Sequence, residues 1–151
     1  MKRFRFPLRP VTVLRAHREL RAREGFAAAF QKYLQAEEAL QLTRARMRTL
    51  EVELSTRRKS SFSAIETAAL LADYRRECAG EAETERVVAT TRQEMEKARA
   101  GYVEAHRNLE IVHRIEEKAR AVHSREVLRE EQAELDDFGG RRRVGPVSIA
   151  I

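Results

Sequence analysis

Apolar residues recur along this chain every seven positions. Phe26, Tyr33, Leu40, Met47 and Leu54 form one series; Ala22, Ala29, Ala36, Thr43 and Leu50 form a second, interleaved with it. Further on, Val88, Met95, Tyr102 and Leu109 repeat the first series, with Thr91, Ala98, Ala105 and Val112 as companions. Alternating steps of three and four place every member on one side of a helix. These are the a and d positions of a left-handed coiled coil. The pattern breaks at Arg57-Arg58-Lys59-Ser60-Ser61-Phe62-Ser63, where like charges and serines make a poor helix interior. Ser63 followed by Glu66 is a capping-box start for a new helix. The pattern predicts a helix over 11–57, a turn over 58–63 and a helix over 64–138. Beyond Gly139-Gly140 and Arg141-Arg142-Arg143, residues 139–151 read as a basic flexible tail.

Two such seams fit one antiparallel hairpin, in which a positions of one helix face d positions of the other. Centring the pairing on Phe62 sets Phe26 against Ala98, Tyr33 against Thr91, Ala29 against Met95, Ala36 against Val88 and Ala22 against Tyr102. Each layer then holds one large and one small side chain, which fills volume without overpacking. The fold class is all-α: a long two-helix antiparallel coiled coil over 1–138 with a protruding C-terminal helix. In this register Val11 sits beside His113, so about 25 residues of the second helix, roughly 37 Å, outrun the first. That stretch carries Ile115, Ala119, Val122, Leu128 and Leu135. Phe4, Phe6 and Leu8 of the N-terminal segment are expected to cover part of it, and another chain the rest.

Composition narrows the class. Of 151 residues, 36% are charged and 42% apolar, but only 6% are aromatic and Trp is absent. Ala, Glu, Arg and Leu dominate, as in long helices. No proline stands between Pro10 and Pro146, which argues against an all-β or βαβ fold. The single cysteine, Cys78, excludes an internal disulfide and a multi-cysteine metal site, and suits a reducing cytosol. No apolar run reaches the ~18 residues of a membrane span, and the start Met1-Lys-Arg-Phe-Arg-Phe-Pro-Leu-Arg-Pro10 lacks the apolar core of a secretory signal. A soluble, cytosolic protein is expected.

Candidate chemistry is sparse. His113–Glu117 and His106–Glu110 lie one helical turn apart, but nothing supplies further metal ligands at suitable spacing, so the histidines read as solvated helix-face residues. Gly25, Gly80 and Gly101 are isolated and form no phosphate loop. No nucleophile triad can converge on so thin a scaffold. No enzyme activity, cofactor, metal or small-molecule substrate is expected. Charge is the stronger feature: net +6, with eight Lys or Arg among residues 1–25, Arg18 and Arg21 included. The second helix over 106–137 is mildly acidic by contrast. A basic pole beside an acidic helix suits an acidic partner better than nucleic acid, whose recognition helices are continuously basic.

At this point the residues match a known pattern. Phe4-Arg-Phe6-Pro-Leu8, followed by Val11, Val13-Leu14 and Arg15, resembles the opening of FliJ proteins. Tyr102 to Arg143, with Arg114, Glu117, Lys118, Arg125, Glu126, Glu130 and Glu131 and the close Leu135-Asp136-Asp137-Phe138, is similar to that family's second signature. YscO-type proteins of virulence type III secretion are relatives of the same pattern. The resemblance implies a non-enzymatic stalk of a bacterial flagellar or type III export apparatus. Its implied partners are the hexameric export ATPase, the export gate membrane protein and export chaperones. Its implied place is cytoplasmic, peripheral at the inner membrane. Ile115, Ala119, Val122, Leu128 and Leu135, with Arg18 and Arg21, are then the expected ATPase contacts. Leu71, Tyr74 and Cys78, near the turn, match the region that meets the gate. The competing reading is a basic coiled-coil scaffold that self-associates or binds nucleic acid.

Overall fold

A computed structural model describes residues 3–59 and 63–142. It contains two helices packed against each other, α1 over Arg9–Arg57 and α2 over Ala64–Arg142, and no strand among the described residues. The fold is an all-α helical hairpin.

The helix ends follow local chemistry. α1 starts two residues earlier than predicted, because Pro10 falls in the first turn, where a backbone N–H has no helical partner anyway. The Thr12 N–H and hydroxyl both donate to the Leu8 carbonyl, at 3.0 and 3.3 Å. α1 ends at Arg57, whose guanidinium donates to Glu53 at 2.8 Å and suits the negative helix terminus. α2 begins after Ser63, whose carbonyl accepts from the Thr67 N–H at 3.2 Å. Glu66 places a carboxylate in the first turn. At the far end α2 runs through Gly139-Gly140 to Arg142, past the predicted stop. No described glycine has positive φ, so the pair stays helical instead of forming a left-handed cap. Each glycine there costs about 1 kcal/mol relative to alanine, a penalty and not a prohibition. The turn residues 60–62 and the tail from 143 lie outside the described residues.

A single hairpin domain is expected from the sequence, but the chain divides into two compact units. The hairpin unit is Arg18–Ala105; the terminal unit joins Met1–His17 to His106–Ile151. In the hairpin unit the two helices run antiparallel. Arg44 Nε donates to Glu81 at 2.8 Å, Tyr74 Oη donates to Glu51 at 2.8 Å, and Arg57 lies 3.9 Å from Glu66. All three pairs are centred within one residue of position 62, the expected register. Every a and d residue predicted for this unit is buried or half-buried, with Ala36, Leu40 and Thr43 the most enclosed. Thr43 tolerates the seam because its hydroxyl donates to the Ala39 carbonyl at 3.1 Å. The small partners have a visible effect. Phe26 and Tyr102, each expected opposite an alanine, extend along the seam and stack on each other, centroids 6.2 Å apart and planes 6° from parallel. Arg44 fixes the register further by forking to Glu85 at 2.7 Å as well as to Glu81.

Candidate functional site

The candidate sites offered by the sequence are surfaces for partners. In the terminal unit, residues 3–6 precede α1 without helix or strand, and their burial alternates. Phe4 and Phe6 are half-buried while Arg3 and Arg5 are exposed. The Phe4 ring meets His123 edge-on at 5.4 Å, and the Arg120 guanidinium sits 5.4 Å from the same ring. Arg120 also donates to Glu116 at 3.0 Å. Arg15 donates to the Asn108 carbonyl at 2.7 Å and ties α1 to α2 here. Between segment and helices lies a cleft of about 590 Å³, lined by Phe4, Arg5, Phe6, Arg9, Glu116 and Arg120 among others. His123 is therefore not the solvated residue the sequence suggests; the aromatic segment covers it. Leu8, expected to help with that cover, is exposed.

The α2 face that points inward in this unit is Val112, Glu116, Ala119, His123 and Val127. Val112 is 2% exposed and the others are half-buried. These residues continue the heptad seam of Leu109 and Val112, which places Ala119 in that seam. Ile115 at 42% and Val122 at 51% are exposed, as are Leu128 at 64% and Leu135 at 66%. The exposed four do not share one face. At 3.6 residues per turn, the six-residue step from Val122 to Leu128 turns the side chain about 120° away. Ile115 and Val122, one heptad apart, form one surface, joined by exposed Ile111. Leu128 and Leu135, also one heptad apart, form another. The five expected ATPase contacts thus separate into a seam residue and two surfaces.

The remaining candidates belong to the hairpin unit. Arg18 and Arg21 are exposed on α1. Tyr74 is a half-buried seam residue held by Glu51, Cys78 beside it is half-buried, and Leu71 is exposed. Hydrogen bonding to Glu51, then the charge of that carboxylate and the nearby Cys78, push the Tyr74 phenol up to about 12. Tyr33 is raised for the same reason, donating to Glu37 at 2.6 Å. Sequence reasoning missed the Tyr74–Glu51 cross-link, since a carboxylate on the opposite helix leaves no periodic trace.

The sequence model of the flagellar FliJ protein family matches residues 4–144. The chain belongs to that family. No curated protein and no solved structure matches it. As a FliJ-family protein it is a component of the flagellar export apparatus, and the family is non-catalytic. The family match spans the aromatic segment, the cleft and both exposed faces of α2. Among the described residues no helix is long and apolar enough to cross a membrane. Nor do three His, Cys, Asp or Glu side chains gather there in a group that could hold a metal ion.

Proposed function

We propose that this FliJ-family chain is the stalk of the export apparatus. It couples the hexameric export ATPase to the export gate, escorts export chaperones, and works at the cytoplasmic face of the inner membrane. The observation that carries this reading is the exposed Ile111–Ile115–Val122 face on α2, apolar residues left outside the seam of a family of export components. That face is the ATPase contact. Leu128 and Leu135 are set aside from it because they point elsewhere. Arg18 and Arg21 act by steering, as exposed positive charge that speeds encounter with an acidic ring lumen. Leu71, with Tyr74 and Cys78 behind it, serves the gate.

The test pairs Ile115→Ser with Val122→Ser. Stability should stay within about 0.5 kcal/mol of the parent, as for surface positions generally, while co-purification with the export ATPase is lost. Charge reversal at Arg18 and Arg21 should slow association and flatten its salt dependence. Retained ATPase binding in the double serine variant, or loss of its helical signal, contradicts the assignment.

A further inference from the structure

The second exposed surface of α2 differs in chemistry from the first. Arg120, Ser124, Leu128, Glu131, Leu135 and Phe138 follow one another at steps of four and three, so they occupy one arc of about 80°. Leu128, Leu135 and Phe138 are its exposed apolar members. Charge is polarised along it. From 130 to 137 there are five carboxylates and no Lys or Arg, while the other end borders the cleft of Arg5, Arg9 and Arg120. Glu134 lies on the same edge of the helix as Glu116, the edge from which the cleft opens. Arg5 and Arg9 have no ion-pair partner among the described residues.

A surface that is basic and cleft-bearing at one end and acidic and apolar at the other is complementary to itself, provided the second copy runs the opposite way. We propose that this face is a self-association site. Two copies pair their α2 segments antiparallel about a two-fold axis near Val127 and Leu128. In that arrangement Leu128 covers its counterpart at the axis, Leu135 lies beside Arg120 of the other copy, and Glu131 and Glu134 of each copy approach Arg5, Arg9 and Arg120 of the other. Phe138 of each reaches the partner's cleft beside Phe6. Two-fold symmetry makes both acid–base contacts form together. Parallel pairing sets Glu131 and Glu134 against themselves, and like charges oppose it. The Ile115–Val122 face lies roughly 150° away around the helix, so self-association and the ATPase contact use different sides. The inference does not rest on the proposed stalk role.

Sedimentation velocity of the full chain over a concentration series tests it with a charge-swap design. Wild type should show a monomer–dimer equilibrium that weakens with salt. Arg5→Glu with Arg9→Glu, and separately Glu131→Arg with Glu134→Arg, should each weaken the dimer at least tenfold. Mixed in equal amounts, the two variants match at both contacts and should restore dimerisation to within a few-fold of wild type. Leu128→Asp, which leaves the cleft untouched and sets like charges against each other at the axis, should also give monomer, with circular dichroism showing the parent's helicity in every case. A wild type that stays monomeric throughout, a charge variant that dimerises like the parent, or a mixture that fails to recover overturns the proposal.

Discussion

In the hairpin unit, Phe26, Tyr33, Leu40 and Met47 are all buried or half-buried. In the terminal unit, α2 carries comparable apolar residues, yet Ile115, Val122, Leu128 and Leu135 all remain exposed. The cover there is a short aromatic segment whose inward positions are Phe4 and Phe6. One helix is thus consumed by its own fold along one stretch and left available along another. The difference is set by what packs against α2. A continuous heptad partner buries a seam, whereas the first turns of α1 and a short aromatic segment bury one side of α2 and leave two faces bare. Stability should therefore reside mainly in the hairpin unit and the ATPase contact in the terminal unit.

Breaking the seam should give the largest effect. Leu40→Ala removes one of the most enclosed side chains and should cost about 2–3 kcal/mol, the lower part of the usual range because a two-helix seam is partly open to relaxation and water. Urea unfolding reads this directly. Ala98→Leu places a large side chain in a layer that expects a small one beside Phe26. Overpacking of about 1–3 kcal/mol should follow, visible as a lower melting temperature. An unchanged melt would mean that the large–small layering does not govern the register. Smaller still is the Arg44 fork. Arg44→Met should lower the melting temperature slightly at low salt and hardly at all at high salt, because both ion pairs are solvent-accessible.

The Tyr74–Glu51 bond gives the subtlest probe of the seam. Its phenol titrates near 12 in the folded protein, against about 10 unfolded. A raised folded value favours the protonated phenol, so its stabilisation is present below about pH 10 and fades as pH rises through the folded value. Glu51→Gln should bring the Tyr74 midpoint back toward its ordinary value in an absorbance titration, with Tyr74→Phe identifying the signal. A midpoint unmoved by the substitution would remove Glu51 as the cause.

The seam was legible from sequence because a three–four alternation is physical: it decides which side of a helix a residue occupies before any partner is known. Phe26, Leu40, Val88 and Val112 could be assigned on that basis alone. The terminal unit was harder for two reasons. Extending the heptad from Val112 already assigns Ala119 and His123 to the inward face, whereas grouping exposed-looking apolar residues by proximity merged two faces separated by a six-residue step. The contacts of Phe4 with His123 and Arg120 had no periodic signal, because a segment without helix or strand meets a helix through geometry that neither sequence pattern encodes. The helix runs on to Arg142 because glycine signals a stop only where it adopts positive φ, and no described glycine here does.

The central division between the two units is tested most directly by comparing two equal-sized truncations in one urea-unfolding experiment, Leu40→Ala and Ile115→Ala. The account predicts a loss of about 2–3 kcal/mol for the first and less than about 0.5 kcal/mol for the second. Comparable losses at both positions would mean that the Ile115 face is core, and would contradict its assignment as the ATPase contact.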